Sequence, residues 1–362
     1  MEINSSTTQL TELLSSNKKL LDGIILDFLP TKSSSPEIQS LYEMMRDYPS
    51  RGGKGIRGTL CLLWCELFSG AKQKALITAS SLELFQNWIL IHDDIEDQSD
   101  LRRGLPSLHK KYGVELSINA GDALHGKMWE LLLSNCGNLG SELTLAILSE
   151  FARMLNETTE GQQIELAWTS GNDWDIREED YALMVTKKSA WYTCISPSRL
   201  GIILSTAGHK DENLATKKHS ELLKTAVEFG RSFGIAFQII DDVLNLTADE
   251  SKYGKEILGD LFEGKRTLML IHLLNSLEGK RKTNVIESIS KPRQSKTTSE
   301  MKIVFELMKS SGSIDYARKV AVNHSRQAMK LFEETVSTQS SIHPRIYHQT
   351  KSLLEYLSSR DF

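Results

Sequence analysis

The chain is poor in the residues that interrupt helices and in those that staple small folds. Seven prolines in 362 residues leave long stretches able to run as unbroken helix. The four cysteines, Cys61, Cys65, Cys136 and Cys194, form no Cys-x-x-Cys pair. Cys61 and Cys65 can share a helix face, but no nearby histidine completes a zinc site, so they read as buried thiols. No apolar run reaches the ~18 residues of a membrane span. Lysine and arginine number 43 against 47 aspartate and glutamate, a net charge of −4 with no basic stripe, which argues against nucleic acid as a partner. Met1 to Leu10 is polar and lacks the apolar core of a secretory leader. Together these absences give the expectation of a soluble, reduced, cytoplasmic protein.

What is present is helical periodicity. Leu143, Ile147, Leu148, Phe151, Met154 and Leu155 form one stripe at three- and four-residue spacing. Val227, Phe229, Phe233, Ile235, Phe237, Ile239 and Ile240 are denser, the pattern of a helix buried nearly all round. Alternating strand patterns are scarce, so the fold class is all-α, a single helical bundle over residues 1–362. Within it, 1–45 reads as an N-terminal helical extension. Tyr48 to Gly53 reads as a flexible approach to a helix, and the polar, basic stretch 279–300 as an exposed linker before the C-terminal helices.

Two carboxylate clusters carry the chemistry. The first is Asp93-Asp94-Ile95-Glu96-Asp97, the second Asp241-Asp242, preceded by Phe237-Gln238. On a helix Asp93 and Asp97, at i and i+4, share a face. The run before them, Leu82 to Ile91, is too apolar for an exposed helix, and charge at the end of a buried helix is costly unless paired or bound to metal. Two such clusters facing one another suit a hard divalent cation, and Mg²⁺ on a few carboxylates usually shares its shell with substrate phosphates. Arg102-Arg103 follows the first cluster, where guanidinium forks can grip a diphosphate. Gly52-Gly53-Lys54-Gly55-Ile56-Arg57 is a second anion candidate, with Lys54 and Arg57 expected at i, i+3 on a helix start. It lacks the spacing of a nucleotide P-loop. Lys187-Lys188, Lys255 and Lys265-Arg266 add cations, so the whole describes a cavity for two polyphosphorylated groups and several Mg²⁺ ions. No nucleophile arrangement stands out, and His92 and His109 read as packed residues.

Taken in order, Gly53-Lys54-x-x-Arg57, Asp93-Asp94-x-x-Asp97, Leu101-Arg102-Arg103-Gly104, Gly121-Asp122-Ala123-Leu124, Gly161-Gln162, Lys188-Ser189, Phe237-Gln238-x-x-Asp241-Asp242 and Gly264-Lys265-Arg266-Thr267 resemble the trans-polyprenyl diphosphate synthases. The likeness spans roughly residues 45 to 275 and is nearest to the short-chain geranylgeranyl diphosphate synthase type. It implies an isoprenoid-synthase type bundle around a central cavity and a head-to-tail condensation. About three Mg²⁺ would be held by Asp93, Asp97 and Asp241, with Asp94 and Asp242 in or near that metal set. Lys188, Lys255 and Arg102 would hold an allylic diphosphate, Lys54, Arg57, Gln86 and Arg103 isopentenyl diphosphate, and Lys265 would also bind substrate. Ser189 and Gln238 would offer oxygens to a cation, Lys188 and Gln238 acting in catalysis. A homodimer is implied as well. Three positions depart from the pattern. Asn245 replaces an aspartate, with an amide oxygen that can still meet a metal-bound water, Ser189 replaces threonine, and Gly55 stands where arginine is common.

By the same likeness, Phe85, Trp88 and Ile89, one to two turns before Asp93, floor the pocket that limits product length. A bulky floor favours C15 to C20, and C20 is the expected product. Ideal helix angles place Trp88 well off the Asp93 face, so ordinary core packing stays open for these residues. Farnesyl and longer-chain synthases, a terpene cyclase on the same fold and a non-catalytic regulatory subunit remain as alternatives.

Overall fold

The computed structural model describes residues 2–207, 217–248, 257–337 and 342–358. The chain begins with α1 (Glu2–Phe28) and α2 (Pro36–Ser50). Ser35 caps α2 by accepting from the Ile38 amide, and Pro36 opens it where a missing N–H costs nothing. Leu21, Ile25 and Leu29 from the segment expected as an extension are built into the core. Tyr48 and Pro49, expected in a flexible approach, are instead buried in the last turn of α2; the break comes at Gly52 and Gly53, both with positive φ.

Next come α3 (Ile56–Leu67) and α4 (Lys72–Glu96), then a hairpin of β1 (Leu101–Arg102) and β2 (Leu105–Pro106). Arg102 pairs with Leu105 across a two-residue turn in which Arg103 and Gly104 both have positive φ. That is the twist-compatible hairpin turn, and these are the only strands among the described residues. After α5 (Leu108–Tyr112), α6 (Val114–Leu133) and α7 (Cys136–Leu139) comes the long α8 (Ser141–Ser170). Leu143, Ile147, Phe151 and Met154 of its apolar stripe are buried.

A short α9 (Glu178–Val185) runs into a π-helix (Thr186–Ile195), then α10 (Ser196–Ser205) and α11 (Lys217–Thr247). Small residues let the π-helix lie between α8 and α11. A Cβ on Gly161 would fall 2.0 Å from the Lys188 amide nitrogen, and one on Gly234 would fall 2.3 Å from Ala190 Cβ. Wide-turn π segments are frequent at functional sites, and this one carries Lys188 and Ser189. The remaining helices are α12 (Gly259–Glu263), α13 (Leu268–Ser276), α14 (Gly279–Ser290), α15 (Thr298–Ser310), α16 (Ser313–Ser337) and α17 (Pro344–Ser358).

The stretch 279–300 is therefore not a linker. Val285 and Ile289, at i and i+4, give α14 a buried stripe, and Thr297 with Glu300 makes a capping box that starts α15. Its basic residues masked that short period. Trp64, Phe229, Phe233 and Phe332 stack between α3, α11 and α16, with Trp64 and Phe229 centroids 5.1 Å apart.

Close helix packing at a glycine makes a testable difference. Gly230→Ala would place a Cβ 2.7 Å from Ile195 Cα, whereas Gly126 on α6 has nothing within 4 Å. Gly230→Ala should cost about 1–3 kcal/mol, and Gly126→Ala should stabilise by roughly 0.5–1 kcal/mol. Urea unfolding followed by circular dichroism measures both; equal midpoints would contradict the packing described.

Candidate active site

The buried run on α4 ends at the first acidic cluster, and the helix geometry divides it. Asp93 and Asp97 turn to one side, the Asp97 amide donating to the Asp93 carbonyl at 2.8 Å. Asp94 turns to the other and is fully buried. The Tyr48 hydroxyl donates to Asp94 Oδ2 at 2.6 Å, Arg102 Nε donates to both oxygens at 3.0 Å, and Arg102 Nη2 adds a further bond. Asp94, expected among the metal carboxylates, is thus engaged in holding Arg102 and lines neither cleft of the site. Burial, then the Asp94 charge, holds the Tyr48 hydroxyl well above the usual tyrosine range. Arg102 keeps its charge: burial works against it, but Asp94 outweighs burial. Its Nη2 also lies 3.7 Å from Asp93 Oδ2.

The second cluster, on α11, divides in the same way. Asp242 is buried and accepts from the Tyr181 hydroxyl and from Gln238 Nε2, each at 2.8 Å. Burial pushes its carboxyl up to about 7 against those two hydrogen bonds. Asp242 keeps an edge on the cleft, while Asp241 lines both clefts of the site. Asn245 lines a small cavity with Asp93, Asp97 and Lys265. Its Oδ1 accepts from the Asp260 amide at 3.1 Å and ties α11 to the start of α12.

The first cleft encloses about 1150 Å³, part of it open to solvent, between α4, α8, the π-helix and α11. Lys188 Nζ bonds Glu165 and lies 3.3 Å from Asp93 Oδ1. Lys265 Nζ lies 2.7 Å from Asp97 Oδ2 and 2.7 Å from Glu263 Oε2. Burial works against both ammonium groups, but Glu165 and Asp93 raise Lys188 and Asp97 and Glu263 raise Lys265, so both stay protonated. Burial pushes Asp97 upward, Lys265 opposes it, and Glu263 and Asp93 add to it. Ser189 is buried on the same wall, and Lys255 lies outside the described residues.

A second cleft joins the first along Leu90, Arg102, Tyr192, Gln238 and Asp241. Lys54, Arg57, Gln86 and Arg103 all line it. The helix here begins at Ile56 behind Gly55, whose φ is +60°, so Arg57 sits on α3 and Lys54 precedes it rather than sharing its face. Arg57 Nη2 donates to Thr193 Oγ1 at 2.9 Å with its guanidinium 4.5 Å above the Tyr192 ring. Arg103 Nη1 donates to the Tyr48 carbonyl at 2.7 Å and to Asn87 Oδ1 at 3.3 Å. A Cβ on Gly53 would stand 3.2 Å from Arg103 Nη2, so this glycine makes room for the guanidinium.

The apolar end of the first cleft is lined by Trp88, Ile89, Met184 and Val185. Trp88 stacks on His125 at 4.0 Å, and Phe85 sits behind it, edge-on at 5.3 Å, without reaching the cleft. His92 lines the cleft beside Trp88; His109 pairs with Ser107 outside both clefts. Tyr48, Tyr181, Asn87, His125, Glu165 and Glu263 went unread in the sequence. Of these only Glu165 had a local signal, four residues after Gly161 on one helix face.

Among the described residues no three carboxylate, thiolate or imidazole groups close on one point. Asp93 and Asp97 are each faced by a lysine instead. Such a cleft, with hard oxygen donors beside ammonium groups, has the chemistry to accept a polyanion together with divalent cations.

Residues 38–308 match the family model described as polyprenyl synthetase. A geranylgeranyl diphosphate synthase from Sulfolobus acidocaldarius is 33% identical over 313 residues, covering 85% of this chain and 88% of that protein. Among solved structures, the geranylgeranyl pyrophosphate synthetase of Pyrococcus horikoshii superposes with a TM-score of 0.81 at 29% identity, covering 100% of both chains. A polyprenyl synthase from Caulobacter crescentus, solved with calcium and isoprenyl diphosphate, shares the fold with a TM-score of 0.79 at 23% identity, over 98% of this chain and 97% of that one.

The divided clusters predict unequal stability losses. Asp94→Ala strands a buried guanidinium and should cost about 3–5 kcal/mol. Asp93→Ala relieves crowding among carboxylates and should cost little. Urea midpoints decide the matter: a larger loss for the Asp93 variant would refute the division.

Proposed function

Since the chain belongs to the polyprenyl synthetase family and is a trans-prenyltransferase, we propose that it joins isopentenyl diphosphate head-to-tail to an allylic diphosphate (dimethylallyl, geranyl or farnesyl) and releases geranylgeranyl diphosphate. The observation that carries this reading is the pair of joined clefts, one acidic with lysines and the other lined by Lys54, Arg57, Gln86 and Arg103. A cyclase that ionises one diphosphate has no use for the second.

In this reading Asp93, Asp97 and Asp241 would hold Mg²⁺, three ions together with the allylic diphosphate, with Asp242 supporting that set. Their hard oxygen donors fit that ion. Bound Mg²⁺ supplies Lewis acidity and neutralises charge on the departing diphosphate. Lys188, Lys265 and Arg102 bind the same group, and the lysines exchange their present carboxylate partners for phosphate oxygens. Lys255 is proposed as a further contact on sequence alone.

The allylic C–O bond breaks, and its electron pair leaves with the diphosphate. Leu90, Met184, Val185 and Tyr192 keep water from the carbocation. Gln238 has its amide nitrogen engaged by Asp242, which leaves its carbonyl oxygen, with Ser189 Oγ, to face positive charge. The double bond of isopentenyl diphosphate, held in the second cleft, forms the new C–C bond. A proton then passes from its C2 to the released diphosphate. Trp88 and Ile89 end the tail space, with Phe85 supporting Trp88.

No helix among the described residues is long and apolar enough to cross a membrane. We propose a cytoplasmic homodimer, supported by the exposed Val114, Leu116 and Ile118 on α6.

Purified protein given Mg²⁺, isopentenyl diphosphate and each allylic starter should yield a linear C20 diphosphate, abolished by a chelator. Asp93→Ala and Asp241→Ala should each lower turnover by about 10²–10³-fold or more; normal turnover in either removes the metal assignment. Diphosphate release without isopentenyl incorporation would mean a cyclase. Trp88→Ala should shift products to C25 and beyond by chromatography, and an unchanged distribution would rule it out as the floor.

A further inference from the structure

The segment between α14 and α15, far along the chain from every motif above, is built into the underside of the active site. Lys296 is buried, and its ammonium donates to the carbonyl oxygens of Leu261 at 3.0 Å and Phe262 at 2.8 Å. Those carbonyls belong to α12, which the chain leaves through Gly264 at φ +78°. A Cβ at Gly264 would stand 3.2 Å from Lys296 Nζ and 3.4 Å from the Ile289 carbonyl, so the lysine sits directly beneath the turn. Within the turn the Gly264 amide donates to Leu261 at 3.2 Å and the Lys265 amide to Asp260 at 2.9 Å. From the same segment, Arg293 places its guanidinium 3.6 Å from Glu263 Oε1.

Lys265, next to Gly264, lines the first cleft. Lys265 meets Asp97, and Glu263 meets Lys265. Arg266, stacked 3.9 Å from the Trp174 ring, closes the turn by donating to the Gly264 carbonyl. A buried ammonium beside two guanidinium groups is costly: burial, then Arg266 and Arg293, lowers the Lys296 amine to about 8. An apolar side chain of the same length would fill the space without that cost, so what the lysine adds is its pair of directed hydrogen bonds.

We infer that Lys296 is a positioning residue for the allylic diphosphate: by clamping the carbonyls of Leu261 and Phe262 it fixes the Gly264 turn and so aims Lys265 at Asp97 and the cleft. The inference rests on the proposed prenyl transfer, with Lys265 as a contact to that diphosphate. Displacement of a binding group by about 1 Å is enough to be read in kinetics. The second cleft contains neither Lys265 nor any residue of α12, so isopentenyl diphosphate should not register the change.

The test compares the full-length wild type with Lys296→Met and Val285→Ala by steady-state kinetics with both substrates varied. Lys296→Met removes the clamp together with a buried charge, so the fold is expected to hold. Its KM for the allylic diphosphate and its half-saturating Mg²⁺ should rise about tenfold, with KM for isopentenyl diphosphate within about twofold of wild type. Lys296→Gln keeps a donor on a shorter stem; it should fall between the two and serves if the methionine variant does not fold. Val285→Ala weakens the same region from the buried face of α14 and should lower the melting temperature without this split. An active wild type with unchanged constants in the Lys296 variants overturns this inference alone. So does an equal rise in both KM values, or the same split in Val285→Ala. A wild type that condenses no starter overturns the prenyl-transfer reading, and this inference with it.

Discussion

The buried Asp94 carboxylate organises the site. An ionised carboxylate without solvent is tolerable only when its oxygens are fully engaged, and Arg102 with Tyr48 engages both. Meeting that requirement draws three elements together: the end of α4, the β1–β2 hairpin and the last turn of α2. Tyr48 extends the link, its hydroxyl accepting from the Leu108 amide at 3.0 Å while its carbonyl accepts from Arg103. The wall of the first cleft and the cationic lining of the second are thus fixed by one charge cluster. Truncating any member would be felt in both.

The same arrangement occurs on α11. In each Asp-Asp pair the first residue faces the cleft, and the second is buried and bonded to a tyrosine from another helix: Tyr48 for Asp94, Tyr181 for Asp242. Successive residues on a helix point about 100° apart, so a doubled aspartate necessarily aims one carboxylate elsewhere. Here that second carboxylate serves as an anchor. The cleft carboxylates are in turn balanced by lysines on other elements, Lys188 from the π-helix and Lys265 from the turn after α12. Carboxylates crowded at one site are thus offset by ammonium groups from other elements.

Much of this was legible in the chain. The apolar spacing of Leu143 to Leu155 marked α8, and Asp93 with Asp97 at i, i+4 marked a shared face. Misreadings came where local composition conflicted with burial. The basic residues between Gly279 and Glu300 concealed the Val285 and Ile289 stripe, and Tyr48-Pro49 passed for a loop although both are buried in α2. The sequence gives no sign that Asn245 accepts from the Asp260 amide, because that bond joins α11 to a segment fifteen residues on.

Residue types and their spacing by themselves determined the helical class, the two acidic helix faces, the cationic positions and the family, because each depends on chemistry within a few turns of the chain. Only the tertiary structure decided which carboxylates face the cleft, which cations they meet, that the two clefts adjoin along Gln238 and Asp241, and that Lys296 lies under Gly264. Those facts depend on contacts between distant segments, where burial, charge pairing and close approach at glycine are settled together. No local pattern encodes which tyrosine will find which aspartate.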